Sequence, residues 1–170
     1  MPNPQDVLPL PPSPNLERYK KLAKELVKAG KSPDENAITK WTDQWIEALT
    51  QHARAKQTLA EKTRDANRTE SFARQKLSEK CSLANAQFVI ARSHGFESWS
   101  KFARHLEALA QKNSSVARFE SAADAIIVGK ISVLKQLLRE DPKLIRTRST
   151  REHQATLIHY VAANGVENYR

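Results

Sequence analysis

The sequence has little cysteine and little glycine, and both shortages limit what it can form. Of its 170 residues, one is cysteine and four are glycine. Cys81 alone cannot close an intrachain disulfide. None of the five histidines lies in a His-x-x-x-His pattern or in a Cys/His spacing typical of zinc sites. We therefore expect neither a metal nor a cofactor.

Long apolar stretches are also absent. No segment approaches the roughly 20 apolar residues that a membrane-spanning helix needs. Near the N-terminus, Val7, Leu8 and Leu10 lie among prolines and follow no basic segment of the kind that opens a signal peptide. We expect a cytoplasmic protein with no membrane partner.

Motifs for catalysis are missing as well. The chain has no glycine-rich phosphate loop and no Gly-x-Ser-x-Gly. Its adjacent carboxylates, Asp34-Glu35 and Glu140-Asp141, fall at expected helix ends, where they match the helix dipole or mark a stop. We expect no catalytic residues and no enzyme.

Helix-forming residues make up much of what is present. Ala, Leu, Lys, Glu, Gln and Arg are abundant, and these side chains lose little rotamer freedom in a helix. The hydrophobic fraction of 39% and the charged fraction of 28% are typical of a globular domain. The composition predicts an all-α fold.

The N-terminal two thirds divide into a tail and a helical module. Residues 1–14 contain six prolines, which predicts a Pro-rich disordered tail. Residues 15–110 form the predicted helical module, with a weakly packed connector at about 54–80 where large apolar residues become sparse. Asn15 caps the first helix and Gly30 stops it in the left-handed conformation. Residues 32–35, Ser-Pro-Asp-Glu, predict a capping box at the start of the second helix.

A clear helical pattern begins again at Ser82. Two short helices are predicted from there, joined by a turn at residues 94–97 into an αα-hairpin. Ser98 caps the second of them. The polar stretch 111–115 then marks a boundary. Beyond it, a small-residue helix ends at Gly129 and a second helix runs through Val133, Leu134, Leu137 and Leu138.

Residues 155–165, Ala-Thr-Leu-Ile-His-Tyr-Val-Ala-Ala-Asn-Gly, resemble the ankyrin repeat and its Thr-Pro-Leu-His-x-Ala signature. Thr156, His159 and Ala162 match, and Gly165 matches the turn between the two helices. Leu157 stands in the place of the proline. Residues 116–170 would then hold one atypical capping repeat, turning at Gly129, and part of a second. This would be the start of an ankyrin solenoid (a stack of helix-turn-helix repeats).

The resemblance implies a bacterial-type protein, a structural role for His159, and a chain that continues into further repeats. Its helical lead-in is the Ala-x-Phe-Val-Ile-Ala-Arg-x-x-Gly-Phe-x-Ser-Trp pattern at residues 86–99. Ankyrin arrays are non-catalytic scaffolds that bind proteins through projecting fingers, and residues 141–153 fall in the finger position. The candidate residues for contact with an acidic protein partner are Arg146, Arg148, Arg151, Glu152 and His153.

The net charge of +9 leaves two alternatives open. The basic residues between Arg54 and Arg104 would suit a nucleic-acid-binding helical module. Interspersed acidic residues such as Glu61 and Asp65 break that positive field, and no run of five basic residues occurs. The helical module could also serve as a cap with no partner of its own. We rank the protein scaffold first, the cap second and nucleic-acid binding third.

Overall fold

Every regular element in the described part of the chain is helical, as the composition predicts. The computed structural model describes residues 7–11, 13–51 and 59–163. The helices are α1 (Leu16–Gly30), α2 (Ala37–Thr50), α3 (Leu59–Glu79), α4 (Leu83–Ser93), α5 (Trp99–Ala110), α6 (Ser115–Ile127), α7 (Ile131–Glu140) and α8 (Leu157–Ala163), with a short 3₁₀ helix at Pro142–Arg146.

Side-chain caps fix where several helices begin. Asn15 accepts a hydrogen bond from the backbone N–H of the first turn of α1, and Ser98 does the same for α5. Both caps were predicted and are confirmed. Ser82 and Ser114 cap α4 and α6 in the same way. The polar residues before each apolar stretch therefore set the helix starts in these four places.

The predicted capping box at residues 32–35 is wrong. Helix α2 begins only at Ala37. The Ser32 hydroxyl accepts the N–H of Asp34 at 3.1 Å, and the Asp34 carboxylate accepts the N–H of Asn36 at 2.9 Å. Each side chain thus binds its own backbone two residues on, which holds this segment in turns and delays the helix.

Gly30 also serves a different purpose from the one predicted. It is the last residue of α1 and does not have the positive φ of a left-handed stop. A Cβ at this position would lie 2.9 Å from Leu77 Cδ1 and 3.1 Å from Cys81 Sγ. The Leu77 and Cys81 side chains would therefore have to shift to admit a Cβ, and glycine lets α1 lie close to the end of α3.

Helices α1 to α5 enclose the larger of two cores. The side chains of Trp41 and Trp45 are both buried in it. The segment predicted as a weakly packed connector at 54–80 is helical where it is described, but it packs on both α2 and α4 and buries Ala73 and Leu77. Alanine and threonine on the buried face of α3 allow this close packing without large apolar residues. Residues 54–58 lie outside the described residues.

The N-terminal segment is not a free tail where the structure describes it. Leu8 is only 1% exposed, and its N–H donates to the Ser93 carbonyl at 2.7 Å. The ring of His94 donates from Nδ1 to the Leu8 carbonyl at 3.1 Å. The prediction of a disordered tail is therefore wrong for residues 7–11, because its apolar side chains are buried against the turn after α4.

Helices α6, α7 and α8 enclose a second, smaller core. The alanines at 122 and 123 are fully buried in it, together with Phe119, Leu144 and Tyr160. Helix α8 packs on α6, and α6 also contacts α5 across the polar break at 111–114. The Ser114 hydroxyl spans that break by donating to the Ala108 carbonyl at 2.6 Å.

His94 couples the stability of the larger core to pH. The residue is fully buried, and this burial lowers its pKa from 6.5 to about 3. Arg151 adds to the lowering, and the hydrogen bond to Leu8 opposes it. Between these two pKa values, the unfolded chain binds a proton that the folded chain does not. The free energy of unfolding therefore decreases as the pH falls.

We predict that the free energy of unfolding falls as the pH is lowered from 6.5 towards 4, by up to about 1.4 kcal/mol per pH unit from His94. Urea denaturation at a series of pH values measures this slope. His94→Asn keeps a donor near the position of Nδ1 but does not titrate, so it should flatten the profile. An unchanged slope in His94→Asn would assign the pH dependence to other groups.

Candidate interaction surface

Residues 147–156, between the 3₁₀ helix and α8, form a tight loop that contains most of the predicted partner-binding residues. The Ser149 N–H donates to the Ala155 carbonyl at 2.8 Å, and the Gln154 N–H donates to the Arg151 carbonyl at 3.0 Å. Gln154 has a φ of 47°, the left-handed conformation that tight turns often need. The loop therefore has a fixed shape that decides which of its side chains reach solvent.

Arg151 points inward, which corrects its prediction as a partner-binding residue. Its side chain is 2% exposed, and its guanidinium lies over the Phe96 ring at 5.7 Å from the centroid. Nη1 donates to the His94 carbonyl at 3.1 Å, and Nη2 lies 3.8 Å from the Glu120 carboxylate. Arg151 thus joins the turn after α4 to helix α6 and cannot contact a partner.

Glu152 is held against the same turn. Its N–H donates to the Gly95 carbonyl at 2.9 Å, and its carboxylate forms an ion pair with Arg92. Two residues earlier, the Thr150 hydroxyl lies 2.6 Å from Nδ1 of His105. Three successive residues of loop 147–156 therefore contact α4, α5 or the turn between them (residues 94–98).

His153 is half-buried rather than free at the tip. Its Nδ1 accepts the Ala155 N–H at 3.0 Å, and its ring meets the Tyr160 ring edge-on at 6.2 Å between centroids. Burial lowers the pKa of His153, and Arg151 lowers it further while Glu120 opposes them. Glu152 and His153 are thus partly buried and already have contacts within the protein, and their role in binding a partner stays a prediction.

Arg146 and Arg148 are the predicted contact residues that do reach solvent. Both side chains are exposed. Arg148 also donates to the Gln154 carbonyl at 3.2 Å, which braces the loop from outside. Lys143, one turn before Arg146 in the 3₁₀ helix, is exposed beside them. These three cations form what we call the basic loop edge.

Of the residues predicted to be structural in the repeat, some lie at a turn or a helix start and others do not. Gly129 has a φ of 69° between α6 and α7, where an L side chain would be strained. The Thr156 hydroxyl lies 2.9 Å from Nδ1 of His159, which also accepts the Thr156 N–H at 3.2 Å, just where α8 begins. Ala162 is exposed, and Gly165 lies outside the described residues.

Sequence reasoning missed a group of exposed aliphatic side chains on the C-terminal helices. Val133 lies on the helix predicted after Gly129, and 41% of it is exposed. Helix α7 buries none of its residues fully and packs only through Leu134, Leu137 and Leu138. The other exposed aliphatic residues of this unit are Val128, Ile131, Ile145, Ile158 and Val161. Apolar residues spaced three or four apart predict a helix with an apolar face. They do not show which apolar side chains will pack against another helix and which will stay exposed.

Two further properties concern only the described residues. Among them, no group of three or more His, Cys, Asp or Glu side chains is placed to hold a metal ion. None of the described helices combines the length and the apolar character that crossing a membrane requires.

Comparison with protein-family models, curated proteins and solved structures gives no match for this chain.

We predict that Arg151→Met lowers the free energy of unfolding by about 3 kcal/mol, since removing one member of a buried ion pair leaves the other charge uncompensated. Urea denaturation measures this. Adding Glu120→Gln should recover part of the loss, because the uncompensated carboxylate is then gone. Arg146→Met is the matched control and should change stability by less than about 0.5 kcal/mol. Equal stability of the Arg151 and Arg146 variants would contradict the buried contact.

Proposed function

We propose that the chain is a non-catalytic protein-binding scaffold of the ankyrin type, in which α6 and α7 form a first helix pair and α8 begins the second. The observation that carries this proposal is the arrangement of three helices: α6 and α7 turn at Gly129, a loop follows, and α8 returns to pack on α6. Repeat proteins are built by stacking such units side by side.

The contact between Thr156 and His159 at the start of α8 supports the same proposal. These two residues match the Thr and His of the ankyrin signature, and in the structure their side chains lie 2.9 Å apart. A local hydrogen bond of this kind fixes the start of a helix and the direction from which the chain enters it. The role of His159 is then structural, in agreement with its place in the signature.

The exposed surface of this unit indicates what kind of partner it would take. The basic loop edge has three cations, of which Arg146 and Arg148 have the guanidinium group that forms paired hydrogen bonds with carboxylates. Exposed aliphatic side chains such as Ile131 and Ile158 lie on the neighbouring helices. Arginine beside apolar residues is typical of protein interfaces, so we infer an acidic protein partner.

Nucleic-acid binding by the basic helices has weaker support. Four of the basic residues of α3 form ion pairs, among them Arg74 with Glu70 and Lys76 with Glu79. Such pairing compensates the positive field that phosphate binding needs. The cap alternative has better support, because loop 147–156 docks on the α4–α5 turn. The helical module would then cap the stack and need no partner of its own.

We predict that Arg146→Glu combined with Arg148→Glu weakens capture of a protein partner about tenfold, since reversing charge at a complementary interface costs a kcal/mol or more per site. The measurement is affinity purification on the tagged chain, eluted with a salt gradient, from nuclease-treated and untreated lysate. Lys24→Glu with Lys28→Glu makes the same change of charge on α1 and should leave capture unchanged.

Either of two results would overturn this proposal. One is the recovery of nucleic acid, lost on nuclease treatment, with no protein that survives it. The other is an equal loss of the partner in the α1 control, which would trace binding to overall charge rather than to the basic loop edge.

A further inference from the structure

A pocket of about 250 Å³ lies between α1 and α2 and shares no residue with the basic loop edge. Its volume is below the range of about 300–1,000 Å³ that is usual for drug-sized ligands. At about 30 Å³ for each water molecule, it holds roughly eight water-sized groups. A ligand of this pocket must therefore be small, about the size of one aromatic ring with a short polar arm. We call it the α1–α2 pocket and define it by the residues that line it, among them Arg18, Tyr19, Leu22, Trp41, Trp45 and Ala48.

The walls of the α1–α2 pocket are mainly apolar and aromatic. Trp41 and Trp45 are one turn apart on α2, and their ring centroids are 5.0 Å apart at an interplanar angle of 49°. Leu22 of α1 and Ala48 of α2 add to the apolar part, and both are half-buried. Because aromatic rings pack well edge to face or offset, two indoles beside a small space favour a ligand that is itself aromatic.

Two residues that line the pocket have a buried hydrogen-bond donor without an acceptor. Tyr19 is 3% exposed and Trp45 is 4% exposed. Neither the Tyr19 hydroxyl nor Nε1 of Trp45 has a hydrogen-bond partner among the described residues. Burial raises the pKa of Tyr19, although Arg18 and Arg151 oppose this, so the hydroxyl keeps its proton and can donate. A buried donor without an acceptor costs free energy, which an acceptor on a ligand in the pocket would recover.

Arg18 adds a positive charge to the same pocket. Its side chain is exposed, and no carboxylate among the described residues forms an ion pair with it. Glu25 also lines the pocket, and its carboxylate lies 3.8 Å from Nζ of Lys21. A guanidinium group can donate two parallel hydrogen bonds to one carboxylate. Two buried donors together with this cation therefore fit an anionic ligand better than a cationic one.

We propose that the α1–α2 pocket binds a small aromatic carboxylic acid, in which a single ring has a carboxylate on a short arm. The ring packs beside Trp41 and Trp45. The carboxylate accepts hydrogen bonds from the Tyr19 hydroxyl and from Nε1 of Trp45, and the Arg18 guanidinium compensates its charge. This site goes beyond the proposed function, which concerns a protein partner at other residues, and neither inference depends on the other.

The test titrates the full ¹⁵N-labelled chain with phenylacetate and follows the indole N–H signals by two-dimensional NMR. The signal of Trp45 should shift and saturate at a ligand concentration below about 10 mM, because its N–H gains an acceptor. Trp99 lies outside the pocket, so its signal should stay in place and serve as the reference. 2-Phenylethylammonium has the same ring and the opposite charge, and it should bind at least about tenfold more weakly.

Four variants locate the binding. Arg18→Met should weaken phenylacetate binding about tenfold, whereas Lys24→Met, the same change of charge elsewhere on α1, should alter it by less than about twofold. Tyr19→Phe should weaken binding about threefold without lowering the free energy of unfolding, since the lost hydroxyl has no partner within the protein. Ala48→Phe fills the pocket without a change of charge and should abolish binding. Circular dichroism verifies that each variant is folded.

Any of three results would overturn the proposal. The first is a Trp45 signal that does not shift and saturate with phenylacetate. The second is equal binding of 2-phenylethylammonium, which would show that the pocket does not select an anion. The third is an equal effect of Arg18→Met and Lys24→Met, which would trace binding to the net charge of +9 rather than to this pocket. Because both of these side chains are exposed, neither variant is expected to prevent folding.

Discussion

The buried guanidinium of Arg151 is the contact on which the arrangement of the two cores depends. It reaches from loop 147–156 to the His94 carbonyl, while the neighbouring Glu152 N–H binds the Gly95 carbonyl. On the other side of the same turn, Leu8 exchanges hydrogen bonds with Ser93 and His94. The α4–α5 turn is therefore held between two segments that are distant in sequence, and each core is positioned through it.

An arginine in this position determines geometry more than it adds stability. Taking a guanidinium out of water costs several kcal/mol, which its partners offset only when the hydrogen bonding is complete. Here Nε has no hydrogen-bond partner among the described residues, and the nearest approach to the Glu120 carboxylate is 3.8 Å. Its directional bond to the His94 carbonyl still selects a single position for the loop. This is why the basic loop edge, with Arg146 and Arg148, is presented in a fixed orientation.

The sequence predicts what is local in this structure and misses what is not. The all-α class, the caps at Asn15 and Ser98 and the turn at Gly129 follow from the preferences of single residues for particular backbone conformations. The burial of Leu8 and Arg151 does not, because each is decided by a turn at least 50 residues away in sequence. A proline-rich N-terminal segment and an arginine-rich loop are usually exposed, so the composition predicted exposure for two residues that are buried.

Amide hydrogen exchange of the intact chain, resolved by residue, tests most directly whether the α4–α5 turn holds both segments. We predict that the amides of Leu8 and Glu152 are strongly protected, because Leu8 donates to the Ser93 carbonyl at the end of α4 and Glu152 donates to the Gly95 carbonyl in the turn. Their protection should approach that of the core helices α4 and α5. Exchange of these two amides at the rate of exposed loops, with α4 and α5 still protected, would show that the turn does not hold either segment.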